Sequence, residues 1–312
     1  MEENKFWDLA IIGTGPAGLS ASIYASRYGI KHAVIGMVPG GLISESHKID
    51  NYPGITGLSG FDLSQKMVEH AKKYSPRMII GRAISIKKIK ARRLFEIKIQ
   101  EKENILARAV ILATGTKRRQ LNISGEKELA GKGVSYCATC DGFFYKNKTV
   151  AVAGGGNSAV GAAVHLSQLA GKVFLIYRKA ELPAEEYWKK QLKENKKIEI
   201  IYNTNILAVS GKEKVEKIKL DKKIKGQLEI LIDGLFVEVG ADPDGDFIQN
   251  LGLAVDEGGY IKISADGATN IEGIWAAGDI TTGSNKLRQI ITAAAEGAIA
   301  AQSVFSYLKK KE

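Results

Sequence analysis

Only two cysteines occur among the 312 residues of this chain. So low a content excludes a disulfide-stapled secreted scaffold and fits a reducing cytosol. Histidine is almost as scarce: His32, His47, His70 and His165 are scattered along the chain. Zinc at a structural site takes four ligands, so two cysteines without a histidine cluster do not complete one. No apolar run approaches the roughly 20 residues of a membrane-spanning helix. The first strand-like run, Phe6 to Ile12, is shorter than a signal-peptide core. The expectation is a cytoplasmic protein with no membrane association. Negative charge is also in short supply, with 34 acidic against 45 basic residues and a net charge of +11. The lysines are spread out and not interleaved with base-stacking aromatics, so no nucleic-acid partner is expected. Such a basic field would instead attract anionic cofactors or an acidic protein.

The two cysteines stand three positions apart, in Cys137-Ala138-Thr139-Cys140-Asp141. A pair at this spacing closes into a disulfide and reopens as a dithiol. Only the thiolate attacks, so a proton acceptor or a helix N-terminus must favour it. No histidine is near in sequence, which leaves Asp141 as the local candidate for proton transfer.

An internal repeat flanks the pair. Ala10-Ile11-Ile12-Gly13-Thr14-Gly15-Pro16-Ala17-Gly18 matches Ala151-Val152-Ala153-Gly154-Gly155-Gly156-Asn157-Ser158-Ala159. Each is an apolar strand, then G-x-G-x-x-G/A, then a helix-like stretch, about Ala17–Tyr28 and Ser158–Leu169. A glycine and a second strand follow, His32–Ile35 and Val173–Ile176. The first glycine permits the tight turn and the second lets backbone approach a pyrophosphate. The third small residue lets helix and strand pack closely. Two copies in this context predict two dinucleotide sites, and with the cysteine pair between them a disulfide reductase.

The end of each second strand reads the ribose. In the first copy this position is Gly36-Met37, with no acid. In the second it is Tyr177-Arg178-Lys179, whose two cations suit a 2′-phosphate and point to NADPH. Two further buried strands end in small-residue turns, at Ala113-Thr114-Gly115 and at Ala277-Gly278-Asp279. A helix is predicted over Leu287–Tyr307, and Asp279 is expected to cap it or to hydrogen-bond a ribityl hydroxyl, two roles that need not exclude each other. Strands alternating with helices predict an α/β fold with doubly wound layers.

Over nearly its whole length the sequence resembles the low-molecular-weight, bacterial-type thioredoxin reductases. The carriers are Gly13-Thr14-Gly15-Pro16-Ala17-Gly18, Gly40-Gly41-Leu42, Asn51-Tyr52-Pro53-Gly54, Ala113-Thr114-Gly115 and Cys137-Ala138-Thr139-Cys140-Asp141-Gly142. Gly154-Gly155-Gly156-Asn157-Ser158-Ala159, Ala277-Gly278-Asp279 and Arg288-Gln289 complete them. The resemblance implies FAD at the first site and NADPH at the second, Asp141 as proton donor and Cys140 nearer the flavin. It also implies a homodimer that reduces thioredoxin or a thioredoxin-like protein. By matching position, Gly13, Gly15, Pro16, Ala17, the stretch from Gly36 through Gly40, Gly41, Leu42 and Ile43, and Asn51 would line the flavin. So would Ala113, Thr114, Gly115, Gly278, Asp279, Arg288, Gln289 and Ile290. Gly154, Gly156, Asn157, Ser158, Tyr177, Arg178 and Lys179 would meet the nicotinamide dinucleotide. Three positions depart from the family pattern. Its usual His-Arg-Arg reads Tyr177-Arg178-Lys179, a further Arg falls at Pro183, and Gly-Gly-Gln-Leu reads Gly40-Gly41-Leu42-Ile43. A lysine offers a point charge where arginine offers a planar fork, so NADH or another electron donor stays open.

The order of motifs predicts two Rossmann-like, three-layer nucleotide-binding domains, the NAD(P)H domain inserted into the FAD domain. The FAD domain would comprise residues 1–116 and 245–312, and the NAD(P)H domain, with the cysteine pair, residues 117–244. Nicotinamide and disulfide would take turns at the flavin if the inserted domain rotates about its two joints. Two rival functions share these motifs. One is a flavin-dependent dithiol oxidase or the reductase of a peroxide-scavenging partner; the other is a non-enzymatic redox sensor.

Overall fold

The computed structural model describes residues 6–245 and 251–311. The chain divides into two compact units, one made of Met1–Lys117 with Asp242–Glu312, the other of Arg118–Ala241.

In the first unit, Trp7–Ile12 (β1) is apolar at five of six positions and ends fully buried, as a parallel strand covered on both faces must be. Pro16–Arg27 (α1) follows. Gly15 precedes it in extended conformation and Pro16 opens its first turn, where the missing N–H costs nothing. The helix ends in a Schellman motif: Gly29, at φ +72°, donates to Ser26 O and Ile30 donates to Ala25 O. His32–Gly36 (β2) then pairs in parallel with β1, Leu9 beside His32. Gly60–Lys72 (α2) is capped by the Ser59 side chain. Arg77–Ile80 (β3), Ala83–Ile89 (β4), Leu94–Ile99 (β5) and Ile105–Leu112 (β6) give the sheet order β3-β2-β1-β6-β5-β4.

The chain passes to the second unit through Thr116–Arg118 (β7). There Val134–Ser135 (β8) precedes the one-turn helix Ala138–Asp141 (α3). Thr149–Ala153 (β9), Asn157–Leu169 (α4), Lys172–Ile176 (β10), Glu186–Lys193 (α5) and Ile198–Ile201 (β11) follow. Ile206–Ser210 (β12), Lys217–Ile224 (β13) and Gln227–Leu231 (β14) make an antiparallel sheet of their own. Gly234–Val237 (β15) completes an all-parallel sheet in the order β11-β10-β9-β15-β8. One apolar cluster joins this sheet to α4 and α5, another joins it to the antiparallel sheet. The unit is therefore three layers deep, with an antiparallel sheet as its third layer.

The return passage is Ala241–Pro243 (β16), which pairs with β7 as a two-stranded sheet. Back in the first unit, Ile274–Ala276 (β17) lies parallel to the second half of β6, while β5 takes the first half antiparallel. Ile290–Lys309 (α6) packs on α1, and Gly297 makes this possible: a Cβ there would fall 2.1 Å from Ala17 O. The sheets are thus mixed, and the fold is the expected α/β pair of Rossmann-like units.

His32 is buried, with Nδ1 2.9 Å from Ile30 O and Nε2 2.9 Å from Ser22 Oγ. Burial holds its pKa below the ordinary 6.5. The unfolded chain therefore takes up this proton first, so stability is present above pH 6.5 and is lost as pH falls from there through the folded pKa. Chemical denaturation across this range is expected to show that loss, about 1.4 kcal/mol per unit of displacement. A His32→Gln variant should show less of it, and an unchanged pH slope would refute the assignment.

Candidate active site

In the first unit the glycine turn is locked by close approach. Gly13 stands at φ +123°, and a Cβ on it would lie 2.0 Å from Ala113 O. Gly18 is as tight, its Cβ position 2.0 Å from Gly13 O. Around Gly15, by contrast, a Cβ would meet nothing within 4 Å. Here the backbone is open to a ligand. Thr14 donates to Val38 O at 2.8 Å and its side chain fills the space over Gly36, while Gly40 N donates to Thr14 O at 2.8 Å. This draws the Gly36–Ile43 stretch against the turn. Asn51 reaches Gln289, Nδ2 to Oε1, at 2.9 Å across 238 residues of sequence. Gln289 caps α6 reciprocally with Thr292. That corrects the expected start at Leu287 and leaves Asp279 no part in capping: residues 284–286 form a separate turn.

Asp279 is mostly buried; desolvation pushes its carboxyl above the ordinary range, with Arg288 pulling down and Glu296 pushing up. Arg288 lies 3.9 Å over the Tyr260 ring. Thr114 Oγ1 is buried with no hydrogen-bond partner. An open glycine, an orphaned hydroxyl and a carboxylate short of donors fit the hydroxyl-rich, pyrophosphate-bearing chain of FAD. Sequence reasoning missed Glu296. Its carboxylate accepts from Gly278 N at 2.8 Å, Thr281 Oγ1 at 3.0 Å and Ser284 Oγ at 2.5 Å, and so holds the Gly278-Asp279 turn.

In the second unit Cys137 and Cys140 form a disulfide, Cα atoms 5.4 Å apart. Cys137 is the N-cap of α3, its Sγ accepting from Cys140 N at 3.1 Å. The Ser135 hydroxyl accepts from Cys137 N and donates to Cys137 O. Asp141 lines an open cleft of about 400 Å³ together with Lys132, Phe144, Tyr145, Lys148 and Lys214. Two residues absent from the sequence-based set stand beside the pair: Phe143 and Phe144 are 71% and 70% exposed. Two adjacent exposed phenylalanines after a cysteine pair were the available signal.

The second glycine turn repeats the first with one exchange. Gly154 is at φ +141°, its Cβ position 2.2 Å from Glu238 O, and Gly156 is open to 4 Å. The place that Thr14 fills over Gly36 is filled here by the Tyr177 ring over Gly155. Asn157 exchanges two hydrogen bonds with Glu185, at 2.7 and 2.8 Å. Ser158 follows Asn157 in the first turn of α4. Arg178 and Lys179 are exposed, and among the described residues no ion pair engages either. Pro183 is exposed as well. No group of three or more metal-ligating side chains occurs among the described residues.

Known proteins are similar to this chain over nearly its whole length. The pyridine nucleotide-disulphide oxidoreductase profile matches residues 7–297. A thioredoxin reductase of Bacillus subtilis is 38% identical over 99% of this chain and 97% of its own. The crystal structure of Lactococcus lactis thioredoxin reductase superposes with a TM-score of 0.92 at 34% identity, covering 97% of this chain and 99% of that one. A ferredoxin-flavin thioredoxin reductase of Clostridium acetobutylicum is also 34% identical, with a TM-score of 0.54 and 98% of each chain covered. The chain belongs to the pyridine nucleotide-disulphide oxidoreductase family, in its low-molecular-weight thioredoxin reductase branch. It is an FAD-dependent disulfide oxidoreductase, and the cofactors of this branch are FAD and NADPH.

Proposed function

We propose that this enzyme passes electrons from NADPH, by way of FAD, to the Cys137–Cys140 disulfide and thence to the disulfide of thioredoxin or a thioredoxin-like protein. The observation that carries the reading is the closed Cys137–Cys140 pair at the N-cap of α3, with exposed Phe143 and Phe144 beside it. The first unit, with Gly13, Gly15, Thr114, Asp279 and Gln289, holds FAD. The second, with Gly156, Asn157, Arg178 and Lys179, holds the nucleotide. FAD when bound supplies two-electron exchange between a nicotinamide hydride and a disulfide. The reduced pair then acts as a dithiol. The Cys137 thiolate, kept by the Cys140 N–H, attacks one sulfur of the partner's disulfide. Cys140 then displaces the partner from the mixed disulfide, so one disulfide forms as another breaks. Asp141 moves the proton that thiol and thiolate exchange. The phenylalanines offer the partner apolar contact, and Lys132, Lys148 and Lys214 attract its acidic groups.

The first unit also exposes Tyr24, Phe61, Ile291 and Ile299. These apolar side chains support a homodimer, and the low cysteine content supports a cytoplasmic home. No helix among the described residues is long and apolar enough to cross a membrane.

Anaerobic titration watching the flavin band tests the route. NADPH should bleach it and oxidised thioredoxin should restore it. Replacing both Arg178 and Lys179 by alanine is expected to raise the NADPH KM on the order of 100-fold, two charge-assisted contacts being lost. The NADH KM should stay within a few-fold. Equal losses for both nucleotides would refute the 2′-phosphate role. A second reading concerns the donor alone. Tyr177 and Pro183 leave two cations at this site, and the Clostridium acetobutylicum protein is named for ferredoxin. Bleaching by reduced ferredoxin and by neither nucleotide would decide for it.

A further inference from the structure

In a doubly wound sheet the ligand lies outside the carboxyl ends of the strands, at the point where strand order reverses. In the second unit the chain steps from β9 to β10 to β11, then returns to place β15 on the other side of β9. The reversal therefore falls between β9 and β15. β9 runs into the Gly154–Gly156 turn, and β15 runs into Glu238. The two ends are in contact: Glu238 N donates to Ala153 O at 2.8 Å, and the Cβ position of Gly154 lies 2.2 Å from Glu238 O.

Glu238 is an unexpected residue here. The four residues of β15 before it, Gly234-Leu235-Phe236-Val237, are apolar or glycine and fully buried. Its own side chain is only 5% exposed. A carboxylate so buried is costly unless a cation answers it. Arg118 does so, Nη1 to Oε2 at 2.8 Å, reaching across 120 residues of sequence. An apolar pair would fill the same space without desolvating two charges. The strand before Glu238 already shows that apolar side chains suit this sheet.

The position also assigns a half of the nucleotide. The second strand of the motif reads the adenosine ribose, and here Arg178 and Lys179 stand at the end of that strand, β10. β15 lies on the opposite side of β9, where the nicotinamide half belongs. The nicotinamide carboxamide carries two N–H donors, and an ionised carboxylate is an acceptor only. Resting on the pyridine-nucleotide reading above, we propose that Glu238 is a binding residue for the nicotinamide carboxamide, held ionised and in position by Arg118. Carboxamide recognition is then set at β15, separately from the 2′-phosphate recognition at β10.

Calorimetric binding to the oxidised holoenzyme tests this with three probes. These are NADP⁺, its nicotinic-acid analogue with a carboxylate in place of the carboxamide, and 2′,5′-ADP, which carries the adenosine half alone. The double variant Arg118→Leu with Glu238→Leu removes both charges of this ion pair together. It is expected to weaken NADP⁺ about tenfold, the scale of one charge-assisted hydrogen bond, and to leave 2′,5′-ADP unchanged. Wild-type protein should prefer NADP⁺ to the nicotinic-acid analogue, because two carboxylates repel. In Glu238→Gln that preference should shrink, because the carboxylate that repels the analogue is gone. Unchanged NADP⁺ binding in the double variant, or equal weakening of 2′,5′-ADP, would overturn the role of Glu238 while the nucleotide reading stands. Failure of wild-type protein to bind either NADP⁺ or 2′,5′-ADP would overturn both.

Discussion

Replacing Cys140 by serine is expected to lower the turnover of oxidised thioredoxin at least about a thousandfold, since a dithiol relay cannot run on one thiol. Flavin bleaching by NADPH should continue within a few-fold of wild type, because that half-reaction uses the glycine turns and Arg178 and not the sulfurs. Cys137→Ser should lose turnover to the same extent. The two variants differ in the thiol left behind: Cys140 remains in one, Cys137 in the other. If Cys140 is the flavin-side sulfur, only Cys137→Ser should show a pH-dependent change at the long-wavelength edge of the flavin spectrum. Stability should hardly move in either, because the pair closes a loop of only three-residue separation and short loops remove little unfolded-state entropy. Stopped-flow absorbance separates the half-reactions. Sustained turnover in either serine variant would place the disulfide chemistry elsewhere.

The first glycine turn should yield the largest loss of fold. Gly13→Ala sets a Cβ 2.0 Å from the Ala113 carbonyl oxygen at a φ of +123°, so strain and overlap act together. A destabilisation of about 3 kcal/mol or more is expected, read by urea unfolding. Gly15→Ala is the control. Gly15 has an ordinary φ of −78° and no atom within 4 Å of its Cβ position. That variant should keep its fold within about 1 kcal/mol and be purified with little or no yellow colour, its FAD affinity reduced by an order of magnitude or more. A Gly15→Ala protein that binds FAD as wild type does would mean that the open backbone at Gly15 is not where the cofactor lies.

These contrasts mark what was legible in the chain. Gly13 and Gly154 were readable because a turn that only glycine can make leaves its mark within six residues, twice. The cysteine pair was readable because nothing else in 312 residues carries sulfur chemistry at that spacing. The helix after Asp279 was legible as a helix but not in its start. Gln289 caps it only because Thr292 answers and Asn51 holds the other side. The third layer of the second unit was not legible as strands: β13 is rich in lysine, and β14 is exposed at all but one position. Charged residues at alternate positions carry no information about which sheet they join.

The sequence by itself determined the two strand–turn–helix repeats, the redox pair between them and the α/β class. Each depends on backbone conformations and side-chain periods that act over a few residues. The tertiary structure alone decided the exchange of Thr14 over Gly36 for Tyr177 over Gly155. It alone made Glu296 the support of the Gly278-Asp279 turn, and it alone paired Arg118 with Glu238. Those contacts join residues distant in sequence, and which of many buried or charged side chains meet depends on how strands are ordered in the sheet.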